Sequence, residues 1–404
     1  MYQSNTTMPF KVVDTEKKPK PALKVVESEK AVRLRKNVEI LEEVLYGTFD
    51  REQVKNYSGM GGLYAEVKER ESELVWLVGR DGYLKLLNST TSGYYTPSKV
   101  VCYVYDIVRT LGFNGGRILE PSCGTGVFLE HMPEGIKQKS QVTAIEKEPI
   151  SYAMAKAAHP DVEVLNMGFE NYQQGGFDLI IGNPPYGSKC VYDAKHIDLK
   201  DQAIHHYFVA KCARLLNDDG LLAMVIPAYV LDNWKNHARA EMAEHVELVT
   251  AYRLPDTLFA GARVTVDIAV FRKVKNPRKD WIEAKTIELA NKKRFFMSSY
   301  FVENPDHIIG KLDSYSMYLH TEKRERTGLK CTGTMRDVVE RLSLLIDKLT
   351  AQKKTKSHSQ ENAKKADSQN LQIFKSEKSK NMESAKSMVQ EISEMLKKLE
   401  AKFF

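Results

Sequence analysis

Apolar residues follow two different periods along the chain. Between Arg117 and Lys273, short apolar runs alternate with polar or helical stretches, a pattern typical of an open α/β sheet covered on both faces. From Val32 to Leu45 apolar residues recur at helical spacing, and a glycine-rich turn follows at Tyr57 to Leu63. The runs that predict strands are Arg117 to Glu120, Val142 to Glu146, Val162 to Leu165, Phe177 to Gly182, Leu221 to Ile226, Glu247 to Leu254 and Val264 to Arg272.

The last two predicted strands are joined by a short loop without a helix, so we expect them to form an antiparallel hairpin. Five parallel strands closed by such a hairpin resemble the seven-stranded, Rossmann-like sheet of class I S-adenosylmethionine-dependent methyltransferases. The expected fold class is therefore α/β, with a helical extension before the sheet.

The pattern changes beyond residue 275. Val338, Leu342, Leu345 and Leu349 form a helical seam, and Met388, Ile392, Met395, Leu399 and Phe403 form a second seam after a polar stretch. Two matching seams predict a C-terminal helical hairpin that serves self-association or DNA binding. The expected units are a mobile arm (1–25), a helical N-terminal extension (26–92), a catalytic domain (93–275), a candidate recognition segment (276–334) and a Lys-rich helical hairpin or coiled coil (335–404).

Composition excludes several classes of protein. The longest apolar run, Leu221 to Leu231, is far shorter than the roughly 20 residues needed to cross a bilayer. The first thirty residues lack the pattern of a secretory signal, so we expect a cytoplasmic protein without a membrane partner. The five cysteines never form a CxxC pair, and we expect neither disulfides nor a metal site. The net charge of +7 permits a polyanionic partner, and residues 351–404 hold most of it, with twelve Lys against seven acidic residues.

A strand ending in a glycine turn carries the first chemical signal, in the segment Ile118 to Leu129. Gly124 and Gly126 allow a ligand to approach the backbone closely, and Glu146 at the end of the next strand can accept hydrogen bonds from two ribose hydroxyls. A dinucleotide site would have a third glycine where this chain has Leu129, which argues against NAD. A nucleoside with a short amino-acid tail, as in S-adenosylmethionine, fits such a site better than a pyrophosphate.

The second signal is the tetrapeptide Asn183, Pro184, Pro185 and Tyr186, which follows a buried strand. An exocyclic amine is a poor nucleophile because its lone pair is delocalised into the ring. Two acceptors bonded to its two hydrogens favour the pyramidal form that can attack, and the Asn183 side-chain oxygen and the Pro184 carbonyl provide them. The Tyr186 ring provides a face on which an extruded base can stack.

These motifs together resemble the amino-methyltransferases that modify adenine N6 in DNA, in the γ order of motifs, with the cofactor motifs first. The resemblance is closest to methylase modules of large helicase-linked proteins of phages and mobile elements, and it implies a place in restriction-modification. It extends over about residues 45–345. The segments that carry it are 57–63, 93–97 (Gly-Tyr-Tyr-Thr-Pro), 118–129, Glu146, 168–171 (Gly-Phe-Glu-Asn), 183–186, 251–255 and 299–301.

The resemblance implies a role for each matching position. Tyr95, Thr96 and Pro97 would hold the methionine end of S-adenosylmethionine, with Glu120 and Pro121 near its amino group. Gly124, Gly126, Glu146 and Asn183 would complete the cofactor site, and Phe169 would pack on the cofactor adenine. Relatives often have an Asp immediately before that Phe, whereas this chain has Gly168, which leaves open whether Glu170 replaces it.

Phe259 lies where relatives place a second aromatic against the flipped base; the alternative is an ordinary core or surface ring. Two other functions stay open. The same tetrapeptide serves nitrogen methyltransferases that act on RNA bases or on glutamine side chains, and a non-catalytic nucleic-acid-binding protein can retain a methyltransferase fold.

Overall fold

The computed structural model describes residues 27–90, 94–259, 261–319 and 324–353, and near the C-terminus residues 382–383, 386–390 and 393. The predicted arm at 1–25 lies outside the described residues. Four residues of the second C-terminal seam also lie outside the described residues: Ile392, Met395, Leu399 and Phe403.

A seven-stranded sheet forms the centre of the protein. Its strand order is β3-β2-β1-β4-β5-β7-β6, in which β1 to β5 are parallel and β7 runs antiparallel to both β5 and β6. This is the class I methyltransferase fold, and the predicted fold class is confirmed. The strands are β1 (Arg117–Glu120), β2 (Gln141–Glu146), β3 (Glu163–Asn166), β4 (Phe177–Gly182), β5 (Leu216–Pro227), β6 (Val246–Leu254) and β7 (Val266–Lys273).

The fifth strand differs most from its prediction, because it begins at Leu216 rather than at Leu221. Its early residues include the exposed polar stretch 217–219, which an apolar pattern cannot detect. Leu216 pairs with Phe177, and the register then shifts before Leu221 pairs with Leu179.

Alternate residues of the central strands supply two separate cores, as expected when both faces of a sheet are covered. In β1, Ile118 belongs to one core and Leu119 to the other. Helix α5 covers the first face and α9 the second. The helices are α1 (Glu29–Tyr46), α2 (Arg51–Val54), α3 (Tyr64–Glu69), α4 (Glu71–Ser89), α5 (Ser98–Thr110), α6 (Val127–Glu130), α7 (Glu134–Lys137), α8 (Pro149–Ala158), α9 (Ile204–Leu215), α10 (Tyr229–Asp232), α11 (His237–Met242), α12 (Ser299–Glu303) and α13 (335–353).

Helices α1 to α4 form a third core of their own against α8. Ile150, Met154 and Ala158 of α8 pack into the same cluster as Leu34 and Leu41 of α1. The N-terminal extension therefore rests on the helix that follows β2.

Two hairpins follow the sheet within the predicted recognition segment: β8 (Ala284–Glu288) with β9 (Arg294–Ser298), and β10 (Lys311–Leu319) with β11 (Arg324–Thr332). Asn291, between β8 and β9, donates a hydrogen bond of 3.0 Å from its side chain to the Ser314 hydroxyl on β10. Among the described residues, no helix is long and apolar enough to span a membrane.

Helix α13 carries the first C-terminal seam and packs on the central sheet. Val338 and Leu342 are fully buried in the first core. The Tyr103 hydroxyl of α5 lies 2.9 Å from the Ser343 hydroxyl. The seam is thus buried by the domain itself; Met388, at the start of the second seam, is exposed. The helical hairpin and its role in self-association stay predictions.

The burial of α13 can be tested with two leucines on the same helix. Leu342→Ala should reduce the free energy of unfolding by roughly 2–5 kcal/mol, because it leaves a cavity in the core. Leu344→Ala is the matched control; Leu344 is 62% exposed, and its loss should change stability by less than about 0.5 kcal/mol. Urea unfolding followed by circular dichroism measures both, and equal losses would contradict this packing.

Candidate active site

The candidate site lies where the carboxyl ends of β1, β2 and β4 meet. Because β1 pairs with β2 on one side and with β4 on the other, the residues that end these strands lie at a single edge. Glu120, Glu146 and Gly182 are those residues. The sequence-predicted turn after β1 and the tetrapeptide after β4 are therefore neighbours.

Glu146 holds the glycine turn in place. One carboxylate oxygen accepts a hydrogen bond of 2.8 Å from the Gly124 amide, and the other accepts one of 2.7 Å from the Glu148 amide. Gly124 has a φ of +57°, a region that favours glycine, and a Cβ there would lie 2.5 Å from the Tyr95 ring. The carboxylate predicted to bind ribose thus also shapes the turn.

A direct hydrogen bond links the turn to the tetrapeptide. The Ser122 hydroxyl donates a hydrogen bond of 3.1 Å to the Asn183 carbonyl oxygen. Pro184 is buried, while Asn183 and Pro185 are half-buried. Pro97 is the residue that precedes α5.

Three buried oxygen atoms at this edge have no hydrogen-bond partner among the described residues. They are the Thr96 hydroxyl, one carboxyl oxygen of Glu120 and the side-chain oxygen of Asn183. Leaving a buried acceptor unpaired is unfavourable by about 1–3 kcal/mol, so such groups need an explanation. All three belong to the residues predicted to contact the cofactor or the target amine, and a ligand with amine and hydroxyl donors would satisfy them.

Burial disfavours the charged forms of the two glutamates of the site. Burial raises the pKa of the Glu146 carboxyl to about 7, although hydrogen bonds from the Glu148 and Gly124 amides act in the opposite direction. Burial also raises the pKa of Glu120 well above its usual range, and the nearby charge of Glu146 adds to this rise. A cationic ligand at this edge would favour the ionised carboxylates.

Tyr186 is fixed by its hydroxyl group. The hydroxyl donates a hydrogen bond of 3.0 Å to the Val225 carbonyl oxygen of β5. Because the polar end is held by the sheet, the half-buried ring has a defined orientation beside Asn183. The hydroxyl therefore positions the ring and is not free for proton transfer.

Phe169, predicted to pack on a cofactor adenine, is 2% exposed. The centroid of its ring lies 4.9 Å from the centroid of the Phe208 ring and 4.5 Å from the Lys211 ammonium. Lys211 also donates a hydrogen bond of 2.7 Å to the Phe169 carbonyl and one of 2.7 Å to the buried Asp193 carboxylate. Asp193 lies in the loop after the tetrapeptide, so this pair connects that loop to the Phe169 segment.

The Glu170 side chain lies against Gly168, the unusual glycine before Phe169. A Cβ on Gly168 would lie 2.3–2.5 Å from the carboxyl atoms of Glu170. The Glu170 carboxylate thus occupies the space that a side chain at position 168 would enter. It also forms an ion pair of 2.7 Å with Lys147, whose side chain is largely exposed.

Phe259 is 3% exposed and belongs to the first core. The half-buried Tyr186 packs against the same core.

Sequence reasoning noted the glycine-rich turn at 57–63 but missed what it does. A Cβ on Gly59 would lie 1.9 Å from the Tyr95 ring, on which Gly124 also packs. Asn37 of α1, which is 1% exposed, donates a hydrogen bond of 2.7 Å to the Gly59 carbonyl and accepts one of 3.0 Å from the Ser58 amide. A turn held by the N-terminal extension thus packs on the Tyr95 ring. A buried asparagine on an apolar helix face was the signal available in the sequence.

Comparison with known proteins agrees with the motifs. Residues 126–258 match the Eco57I restriction-modification methylase family. The chain is 28% identical over 198 residues to the defense against restriction protein B of Escherichia phage P1, an alignment that covers 46% of this chain and 8% of the phage protein. It is 27% identical over 185 residues to the type II methyltransferase M.CvrRI of Paramecium bursaria Chlorella virus XZ-6E, covering 45% of this chain and 48% of that protein.

The chain thus spans less than half the length of these curated relatives. Among solved structures, the methyltransferase subunit of the type I restriction-modification system from Streptococcus thermophilus is 14% identical, with a TM-score of 0.40, and the match covers 75% of this chain and 77% of that one. The predicted resemblance to restriction-modification methylases is confirmed by the family and by the viral and phage relatives.

The contact between Gly59 and Tyr95 can be tested against a second glycine with the same backbone conformation. Gly59 and Gly47 both have a φ of +70°, but a Cβ on Gly47 would meet nothing within 4 Å. Each change to Ala should reduce stability by roughly 1–2 kcal/mol through the left-handed backbone alone. In urea unfolding, Gly59→Ala should reduce the free energy of unfolding clearly more than Gly47→Ala does. It should also weaken S-adenosylmethionine binding, since Tyr95 must move. Equal behaviour of the two variants would show that the contact is unimportant.

The raised pKa of Glu146 predicts a pH dependence of stability. The pKa of this carboxyl is about 7 in the folded protein and about 4.3 in the unfolded chain. The stability that this group contributes is therefore present below about pH 4.3 and is lost as the pH rises to about 7. Glu146→Gln removes the titration, so its free energy of unfolding should rise relative to the wild type between pH 5 and pH 8. Urea unfolding at intervals of one pH unit measures this difference, and a constant difference would contradict the raised pKa.

Proposed function

We propose that this chain transfers a methyl group from S-adenosylmethionine to the exocyclic N6 amine of an adenine that is extruded from DNA. The observation that carries the proposal is the side-chain oxygen of Asn183, a buried acceptor without a partner among the described residues. It lies at the carboxyl edge of the sheet, next to Pro184 and to the ring of Tyr186.

The residues at this edge fit the proposed cofactor. Glu146 has a carboxylate suited to the two ribose hydroxyls, and its two hydrogen bonds to backbone amides leave acceptor capacity on each oxygen. The unpaired oxygens of Thr96 and Glu120 are suited to the ammonium group of the methionine end. When bound, S-adenosylmethionine supplies an electrophilic methyl group on a sulfonium.

The chain's own residues would activate the amine by position. The Asn183 oxygen and the Pro184 carbonyl accept hydrogen bonds from the two amine hydrogens, which draws the lone pair out of the ring system. Tyr186, fixed by its bond to Val225, holds the base by stacking. Because the amine can lose its proton after the transfer, these groups need no strong base, and catalysis rests on orientation and on preorganised acceptors.

The relatives support DNA and adenine as the target. The family and two of the relatives are named as restriction-modification or type II methyltransferases. A further relative, 25% identical over 125 residues, is the tRNA1(Val) (adenine(37)-N6)-methyltransferase of Haemophilus influenzae. The adenine amine is common to the tRNA enzyme and to our proposal. The experiment must therefore decide whether the methylated polymer is DNA or RNA.

The Asn183 assignment predicts a separation of transfer from binding. Asn183→Ala should abolish labelled methyl transfer to DNA from a methylation-deficient bacterium. Its affinity for S-adenosylmethionine, measured by calorimetry, should stay within about threefold, since most cofactor contacts come from other residues. Asn56→Ala, at an exposed position of the N-terminal extension, is the control and should retain full activity.

Parallel assays with RNA and with protein acceptors discriminate the alternatives. Transfer to RNA or protein but not to DNA would overturn the proposed substrate. Failure of the wild type to bind S-adenosylmethionine would favour a non-catalytic protein with this fold.

Glu170 is proposed to replace the missing acidic residue at position 168 and to accept a hydrogen bond from the cofactor adenine amine. Glu170→Gln should weaken S-adenosylmethionine binding about tenfold, in the range for a hydrogen bond to a charged group. Glu163→Gln is the control, because Glu163 lies on β3 and bonds to Thr143 instead. Unchanged affinity of the Glu170 variant would remove this residue from the cofactor site.

A further inference from the structure

The glycine-rich turn at 57–63 contacts two different parts of the protein. On one side it meets Tyr95, since a Cβ on Gly59 would lie 1.9 Å from that ring. On the other side it meets the loop between β6 and β7, since a Cβ on Gly62 would lie 2.9 Å from the backbone of Gly261. The turn therefore bridges the predicted cofactor pocket and a second loop.

The contact between the turn and Gly261 leaves no room for a side chain on either segment. Gly62 has a φ of +74° and Gly261 a φ of +78°, a region that favours glycine. A Cβ on Gly261 would lie 3.0 Å from the Gly61 carbonyl oxygen. The two backbones therefore meet directly, and a methyl group on either glycine would push them apart.

The loop that carries Gly261 shares an edge and a core with the tetrapeptide. Strand β6 is parallel to β5, because β7 runs antiparallel to both, and β5 is parallel to β4. The loop after β6 therefore begins at the carboxyl edge of the sheet, where the tetrapeptide follows β4. Phe259 of the loop belongs to the first core, and Leu258 and Tyr186 pack against that core. A displaced loop should therefore disturb the packing around Tyr186.

Two polar side chains of α1 hold the two sides of the turn. Asn37 donates a hydrogen bond of 2.7 Å to the Gly59 carbonyl, on the side of Tyr95. Arg33 donates a hydrogen bond to the Gly61 carbonyl oxygen, the atom that faces Gly261. Because residues four positions apart lie on one face of a helix, a single face of α1 sets both contacts.

The rest of the turn is fixed by the N-terminal helices. The side chains of Tyr57, Met60 and Leu63 are buried in the third core. The Gly62 amide donates a hydrogen bond of 2.8 Å to the carbonyl of Thr90, the residue that follows α4. The turn is thus anchored along its length, and the two α1 side chains determine how it meets Tyr95 and the second loop.

We infer that Asn37 and Arg33 are positioning residues with separate roles. Asn37 positions Tyr95 for S-adenosylmethionine, and Arg33 positions the loop between β6 and β7 for DNA. The second role rests on the proposed function, because it needs DNA as the substrate at this edge. Action through the turn predicts that each residue affects one ligand, whereas a purely structural role would affect both ligands alike.

The test compares wild type, Asn37→Ala, Arg33→Met and Arg35→Met in the full chain. Asn37→Ala should weaken the affinity for S-adenosylmethionine, measured by calorimetry, about threefold to tenfold, the range for one hydrogen bond. At saturating S-adenosylmethionine its KM for unmethylated bacterial DNA should stay near that of the wild type. Arg33→Met should raise this KM about threefold to tenfold and leave the affinity for S-adenosylmethionine within about twofold. Arg35, whose side chain is 45% exposed on the same helix, is the control, and its substitution should change neither constant.

Substitutions in the turn repeat the comparison without changing α1, and they replace any α1 variant that urea unfolding shows to be unfolded. Gly59→Ala should weaken S-adenosylmethionine binding, as Asn37→Ala does. Gly62→Ala should raise the KM for DNA, as Arg33→Met does. Gly47→Ala, with a φ of +70° and nothing within 4 Å of its Cβ, corrects both for the left-handed backbone.

The outcomes separate this inference from the proposed function. Equal changes of both constants in each variant would show a general structural effect and overturn the separate roles. With a wild type that is active on DNA, an unchanged KM of Arg33→Met would overturn the role of Arg33 alone. An unchanged affinity of Asn37→Ala for S-adenosylmethionine would overturn the role of Asn37 and leave the proposed function intact. No transfer to DNA by the wild type would overturn the proposed function and, with it, the role of Arg33.

Discussion

The two hydrogen bonds that the Glu146 carboxylate accepts hold the cofactor half of the site together. One bond fixes the glycine turn after β1, and the other fixes the Glu148 amide, where α8 begins. The Glu148 side chain then caps α8 by accepting from the Ile150 and Ser151 amides. Because the N-terminal helices pack on α8, their position relative to the turn depends on the same carboxylate. A group suited to ribose is thus also the link between the sheet and the extension that encloses Tyr95.

A different buried charge organises the other half of the site. Asp193 accepts hydrogen bonds from Lys211, from Tyr207 at 2.8 Å and from the ring of His196 at 3.1 Å. Removing two charges from water is unfavourable by several kcal/mol per ion, so an isolated pair would be a weak source of stability. Here the pair fixes the position of the loop after the tetrapeptide relative to the Phe169 segment. Loss of one partner would leave an uncompensated buried charge.

The sequence predicted those features that depend on local pattern and strong backbone preferences. The ends of β1 and β4 agree with the apolar runs because buried parallel strands must be apolar on both faces. The glycine turn and the tetrapeptide were placed together by the rule that parallel strands end at one edge. The apolar pattern did not predict the features that depend on packing between distant parts of the chain. A helical seam at 338–349 did not reveal that the catalytic domain itself would bury it, and an aromatic residue at 259 did not reveal whether its ring would face solvent or the core.

The two halves of the sheet contribute different parts of the candidate site. Contacts suited to the cofactor come from the ends of β1 and β2, whereas the tetrapeptide proposed to bind the target amine follows β4. Besides the pairing of β1 with β4, side-chain hydrogen bonds join the halves; among them are those from the Ser122 hydroxyl to the Asn183 carbonyl and from the Lys211 ammonium to Phe169 and Asp193. A substitution within one half should therefore change the binding of either the cofactor or the target base. A substitution of a linking residue should change the binding of both. Ser122 is the better probe of such coupling, because its removal leaves no buried charge and the Asn183 side-chain oxygen stays in place.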